Sequence, residues 1–333
     1  MKLKRIFKIT IRVILYMILA VLVALFCLSF RKAPDHIDYG VSFSIAHSQE
    51  LGLDWKEVYQ AILTDLGVKH LRLSAQWDMT EPQDGSYSFD DLDYQMNEAQ
   101  KNNADVILAV GRKTPGWPEC HEPLWEQTLA TSTKSQKVLN YVEAVVTRYK
   151  NASNIKYWQV ENEPFLSYAT TQCGTADAAL ISQEVALVRK IDPTHPVLVT
   201  DGGEFGTWKD AWQAGDVFGN SVYLYIWQHF FGPIRYPIGP AFFRIKLNLA
   251  DIFFGSKPSI LVELGAEPWL LTPIVQAPID LQLQRMGIDK FNEVIDFAKQ
   301  TDLSEQYLWG AEWWYWMKLN GHPEFWDRAK QLF

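Results

Sequence analysis

The sequence predicts an α/β fold, a closed (β/α)8 barrel of parallel strands carried behind one N-terminal transmembrane helix. Three observations predict it. Short apolar runs alternate with amphipathic helical stretches eight times between Tyr39 and Leu332, the pattern of βαβ units in a parallel sheet. No Gly-x-Gly-x-x-Gly follows the first run, which argues against an open, doubly wound sheet. An uncharged stretch, Val13 to Phe30, precedes them all.

The chain divides accordingly into residues 1–32, a linker over 33–38 and a barrel over 39–333. As a helix, the uncharged stretch is about 27 Å long, enough to cross a bilayer. Lys2, Lys4, Arg5, Lys8 and Arg12 precede it, and only Arg31 and Lys32 follow. The excess of positive charge keeps the N-terminus cytoplasmic and sends the rest across the membrane, to the cell surface or periplasm. A cleaved signal peptide is the competing reading, but Cys27-Leu28-Ser29-Phe30 is not a clear small-x-small cleavage site, so an uncleaved anchor is expected. Beyond residue 32 the chain holds 24 basic against 39 acidic residues, a balance that disfavours nucleic acid as a partner.

The elements follow in order. Tyr39 to Ser44 is the first strand. Asp54 to Leu66 is a helix with Trp55, Val58, Ile62 and Leu66 on one stripe and Gly67 closing it. His70 to Ser74 is the second strand, followed by a turn-rich loop, Trp77 to Tyr87. Helix Phe89 to Asn102 leads to strand Asp105 to Val110, a loop holding Cys120, and helix Lys134 to Lys150. The fourth strand starts at Ile155. Then come helix Ala176 to Ile191, strand Pro196 to Thr200, a short helix from Thr207 to Ala214, and a sixth strand from Val217 to Ile226. A greasy excursion, Phe230 to Phe254, is expected to form a lid or a second membrane contact. Lys257 to Glu263 is the seventh strand, Pro278 to Gln300 helical, Gln306 to Ala311 the eighth strand, and Pro323 to Leu332 the last helix.

Two strands end on an acid. Ile155-Lys-Tyr-Trp-Gln-Val160 stops at Glu161-Asn162-Glu163, where Pro164 has no N–H to continue a ladder. Ile260-Leu-Val262 stops at Glu263. The loops leaving the C-terminal strand ends build the site of a parallel barrel, and the fourth and seventh strands face each other across its mouth. Two carboxylates flanking one bond are what glycoside hydrolysis requires, and a pair about 5–5.5 Å apart gives retention of configuration. Mutual repulsion then helps keep Glu163 protonated. Asn162 also suits a helix cap, with Pro164 in the first turn. The 14 Trp, 14 Tyr and 18 Phe include more flat rings than a core needs, and such rings pack on the C–H faces of sugars.

Trp158-Gln-Val-Glu-Asn-Glu-Pro164 resembles the acid/base motif of the large clan of retaining (β/α)8, or TIM-barrel, glycoside hydrolases that includes cellulases, β-mannanases, β-galactosidases and β-xylosidases. The likeness covers nearly all of residues 39–333. It implies general acid/base for Glu163, a sugar 2-hydroxyl contact for Asn162, and the nucleophile for Glu263. Leu71-Arg72-Leu73-Ser74 resembles the clan's second strand, whose arginine supports the nucleophile, and Trp77, a candidate substrate-binding ring, opens a similar loop. Ser221-Val222-Tyr223 resembles the sixth strand, whose tyrosine bonds the nucleophile, although Tyr225 falls on the same face by alternation. Several of these families carry a histidine where Ser221 stands. Trp309 to Trp314 resembles the eighth strand, with Trp314 preferred over Trp313 as the subsite floor. Trp117 is a candidate subsite ring or a loop anchor.

Cys120 and Cys173 fall in neighbouring loops on the oxidising side and are expected to pair, free thiols being the alternative. His121, His195 and His322 show no metal-ligand spacing, and no cofactor is expected. The expected partner is an oligosaccharide or polysaccharide, with the membrane as tether. A tether entering just before the first strand points the cleft away from the bilayer. Two rival functions share this outline: a glycan-binding pseudoenzyme, for which both acids would be superfluous, and a transglycosylase remodelling surface polymers.

Overall fold

The computed structural model describes residues 2–116, 119–166, 173 and 177–333. Eight parallel strands close into a barrel: β1 (Asp38–Ser42), β2 (His70–Ser74), β3 (Asp105–Val110), β4 (Ile155–Val160), β5 (Val197–Asp201), β6 (Val217–Val222), β7 (Ser259–Gly265) and β8 (Glu305–Trp309). β1 completes the ring by pairing with β8, Asp38 opposite Glu305, and with β2, Val41 opposite Leu71.

Period-two alternation sorts the side chains. On β3, Val106, Leu108 and Val110 join the layer beneath the helices, while Ile107 points inward. Ile107, Leu198, Val217, Ile260, Val262 and Tyr307 together fill the barrel's interior. Outside, the helix Thr131–Tyr149 buries Val138, Tyr141, Val142, Val145, Val146 and Tyr149 along one stripe, and Asp177 caps the helix Ala178–Ile191 by accepting from the N–H groups of Ala179 and Leu180.

The structure departs from expectation in three places that bear on function. β6 ends at Val222, and an antiparallel hairpin, Tyr225–Gln228 with Gly232–Arg235, follows it. Tyr225 therefore lies off the barrel, bonded to Glu293. The greasy excursion divides between that hairpin and the helix Pro240–Phe254, which forms the crossover from β6 to β7 with Phe243, Leu247 and Ala250 against the barrel. β8 ends at Trp309, because Gly310 takes a φ of +119° that side chains resist and starts the helix Ala311–Leu319.

A single helix, Lys2–Leu28, precedes the barrel. Its section Arg5–Leu28 is long and apolar enough to span a bilayer, and every side chain from Arg5 to Cys27 is exposed.

Cys120 and Cys173 are joined in a disulfide. They are 53 residues apart in sequence, and closing a loop of that size restricts the unfolded chain by about 4 kcal/mol. Reduction, or Cys173→Ser, is expected to lower stability by about 2–4 kcal/mol. Thermal melts with and without dithiothreitol measure this, and an unchanged midpoint would count against the bridge.

Candidate active site

The mouth of the barrel is organised by one arginine. Arg72 points inward from β2 and is fully buried, so its charge needs partners. It donates to Glu263 Oε2 at 2.6 Å, Asn162 Oδ1 at 2.7 Å and Gln159 Oε1 at 2.9 Å, which ties β2, β4 and β7 together. Tyr223 donates its hydroxyl to the other oxygen of Glu263. Gly265 makes room for that ring, since a Cβ there would meet it at 2.4 Å.

Glu263 reaches the site through an irregularity. Ile260 and Val262 point into the barrel while Leu261 and Leu264 face the helices, so strict alternation would turn Glu263 outward. The register slips on both sides of it: Asn220 pairs with Leu261 but Ser221 with Glu263, and Gln306 pairs with Leu261 but Leu308 with Leu264. This is a β-bulge, one extra residue that re-aims the next side chain. Two consecutive residues, Val262 and Glu263, consequently share the inner face.

On the opposite side, Glu161 (φ 57°) and Glu163 (φ 44°) both take the left-handed conformation, sparsely populated for side-chain-bearing residues and common at functional sites. The kink turns Glu161 away, to accept from the backbone N–H groups of Arg112 and Lys113 at 2.9 and 2.7 Å. It turns Glu163 toward β6, where Ser221 Oγ donates to Glu163 Oε1 at 2.6 Å. Thr200 Oγ1 accepts from the Glu163 backbone N–H at 2.8 Å. Burial, then the charges of Glu119 and Glu263, push the Glu163 carboxyl up to about 8.

Glu119 is a third acid, unforeseen in the sequence. It accepts from Asn162 Nδ2 at 2.9 Å and pairs with the buried Lys113 ammonium at 2.8 Å. Burial raises its carboxyl against the pull of Lys113. Asn162 is thus held from both sides, by Arg72 and Glu119, and does not serve as a helix cap. The sequence marks the Glu119 position only by the neighbouring Cys120, whose disulfide fixes the loop.

The aromatic expectations need correction. Trp77 is fully buried, donates to Glu81 at 2.7 Å and stacks on Tyr141, which makes it the core of the β2 loop. Trp314 is also fully buried, with its indole N–H on the Ala266 carbonyl and its ring edge-on to Phe291. Both Trp313 and Trp314 lie in the helix Ala311–Leu319, past the end of β8, and not on the strand. Trp309, at the tip of β8, bonds Glu267 at 2.7 Å and stacks on His47. His47 binds the other oxygen of Glu267 at 2.9 Å. Burial opposes its charge, but Glu267 and Glu50 outweigh that and hold the imidazole well above its usual range. Trp269, six residues past Glu263, is 44% exposed with its ring edge-on to Tyr223. Trp117 lies outside the described residues. Among the described residues, Cys120, Glu122 and Cys173 bring metal-ligand atoms within 4.8 Å, but the disulfide occupies both sulfurs.

Residues 38–181 match the model of Glycosyl hydrolase family 10. The stretch spans β1 to β4 with Arg72, Glu119, Asn162 and Glu163, and stops short of Glu263. Among curated proteins, the chain is 28% identical to endo-1,4-beta-xylanase 3 of Hypocrea jecorina over 51% of this chain and 50% of that one. It is 27% identical to mannan endo-1,4-beta-mannosidase A of the same organism, over 36% of this chain and 28% of the other. The chain therefore spans half or less of the length of these relatives. Among solved structures, GH5_18 from Bifidobacterium longum superposes with a TM-score of 0.58 at 16% identity, covering 83% of this chain and 70% of that one. Xylanase 10B from Thermotoga petrophila gives 0.53 at 14%, covering 82% of each. These structures share the eight-stranded barrel, and the glycosyl hydrolase likeness agrees with the clan that the Asn162–Glu163 motif resembles.

Proposed function

We propose that this protein is a membrane-anchored retaining β-glycosidase. The observation that carries the reading is the opposite treatment of two carboxylates at one mouth: Glu263 takes the Arg72 guanidinium and the Tyr223 hydroxyl, while Glu163 is kept protonated by burial and neighbouring negative charge. A carboxylate and a carboxylic acid facing one cleft are the two forms the reaction needs. Glu263 attacks the anomeric carbon as Glu163 protonates the departing oxygen. Glu163, now ionised, takes a proton from the water that releases the sugar, and Glu263 leaves as carboxylate.

In this reading Ser221 takes the place of the histidine found in several of the clan's families, donating to the acid/base. Asn162 presents its amide to the sugar 2-hydroxyl, aimed by Glu119 and Arg72. Trp309 and Trp269 replace Trp314 and Trp77 as sugar platforms. The helix Arg5–Leu28 is the anchor, with the barrel extracytoplasmic.

The test is release of chromophore from aryl β-xylosides, β-mannosides, β-galactosides and β-glucosides by the detergent-solubilised chain, with the anomer of the first-formed sugar followed by NMR. Turnover with a β product supports the reading. Glycan binding without turnover would sink it in favour of a binding scaffold, and an α product would overturn retention.

Glu119→Gln gives a sharper result. Removing its charge takes away one cause of the raised Glu163 carboxyl, so the acid deprotonates earlier and the basic limb of kcat/KM is expected to move down by about one pH unit. A basic limb that stays put would show that Glu119 does not act on Glu163.

A further inference from the structure

The helix Pro240–Phe254 has three faces, and only two are accounted for by the barrel and the chain. Phe243, Leu247 and Ala250 face the barrel. Arg244, Asn248 and Asp251, spaced i, i+4, i+7, form a polar stripe that grips the end of the N-terminal helix. Arg244 donates to the Ser29 carbonyl at 2.6 Å, and Asn248 to those of Leu28 and Phe30 at 2.8 and 3.0 Å. Arg31 closes the joint on Asp251 at 2.8 Å and Asn248 at 3.0 Å. Carbonyls at a helix C-terminus lack intrahelical partners, and here side chains of the barrel supply them. The apolar helix leaves the barrel's flank through a built joint.

The third face points away from the barrel, where a helix on a water-exposed surface carries polar residues. It carries Ile245, Leu249, Ile252 and Phe253 instead. Ile252 and Phe253 are 66% and 71% exposed, and Phe30, beside the joint, is 64% exposed.

We infer that this outer face is a membrane-contact surface that lays the barrel on its side. The inference rests on the anchor reading above. The occupant follows from continuity: the helix that is apolar enough to span a bilayer ends on the neighbouring stripe of this same helix, so a bilayer that holds Leu28 at its surface meets Ile252 and Phe253 at that level. An amphipathic helix lying in the interface buries its apolar face about 5–10 Å into the headgroup boundary. Crossover helices run alongside the strands, so a helix lying flat sets the barrel axis along the membrane and opens the mouth sideways. This replaces the expectation of a cleft facing away from the bilayer and puts membrane-proximal glycans within reach.

The test uses the full chain in phosphatidylcholine–phosphatidylglycerol vesicles containing a lipid spin-labelled near the headgroup, with Cys27→Ser removing the free thiol. Bimane is attached at Phe253→Cys, at Gln331→Cys on the barrel's base, or at Asp91→Cys on another flank. Flotation after alkaline carbonate washing reports anchoring independently. The expected result is flotation of all three, with about two-fold quenching at 253 alone. Adding Arg244→Ala and Asn248→Ala is expected to abolish that quenching while flotation persists. Quenching at 331 with none at 253 would mean an upright barrel, and quenching at neither a loose tether; either overturns the proposal and leaves the anchor standing. Failure to float would overturn the anchor reading and this proposal with it.

Discussion

Glu263→Gln is expected to reduce turnover by about 10⁴-fold or more, the scale on which removal of a covalent nucleophile is felt. The amide keeps the volume and still meets Tyr223, but it cannot form the glycosyl ester. It also leaves Arg72 buried with one charge partner removed, so some stability is lost along with activity. A rate loss alone would therefore not separate nucleophile from scaffold. Chemical rescue does: Glu263→Gly with azide opens the nucleophile's place to a small anion, which attacks the activated aryl β-glycoside directly and yields the α-glycosyl azide. Rescue with that stereochemistry assigns the nucleophile. A variant that retains more than about a tenth of wild-type turnover, against the losses usual for such residues, would remove Glu263 from the mechanism.

What the sequence showed and what it hid divide along one physical line. Apolar alternation and helix stripes depend on period alone, and they located all eight barrel strands and the end of β4, whereas β7 runs two residues past its expected end at Glu263, to Gly265. Residue type at a strand tip singled out Asn162, Glu163 and Glu263 as candidates. Side-chain direction at those tips did not follow, because it is set by departures from period: the bulge at Val262–Glu263, the left-handed pair Glu161 and Glu163, and the turn at Gly310. That turn is why Trp314 fell in the core and Trp309 at the mouth. Glu119 was hidden for another reason. It sits in an irregular loop with no periodic signal, and its position depends on a disulfide partner 53 residues away. Tyr223 and Tyr225 were inseparable while the sixth strand was taken to continue; the end of β6 at Val222 separates them, one on Glu263 and the other on Glu293.

Glu163→Gln is expected to cost about 10²–10⁴-fold in turnover of glycosides with poor leaving groups, while raising stability at neutral pH. Both effects come from the same displaced titration. In the folded chain the Glu163 carboxyl is raised from 4.5 to about 8, so between those values the native state holds a proton that the unfolded chain has released. Stability then falls as pH rises through that window, because ionisation is easier in the unfolded chain. Glutamine cannot ionise, and the variant should match wild type at pH 4 and melt a few degrees above it at pH 7 to 8. Catalysis shows the complementary signature. An aryl glycoside with a strongly acidic phenol leaves without protonation, so its first step survives, the glycosyl-enzyme accumulates as a burst, and azide discharges it with a second inversion to the β-glycosyl azide. The basic limb of wild-type kcat/KM near pH 8 should vanish in the variant. A variant that loses activity equally on good and poor leaving groups, or melts lower than wild type at pH 8, would show that Glu163 shapes the cleft and does not move the proton.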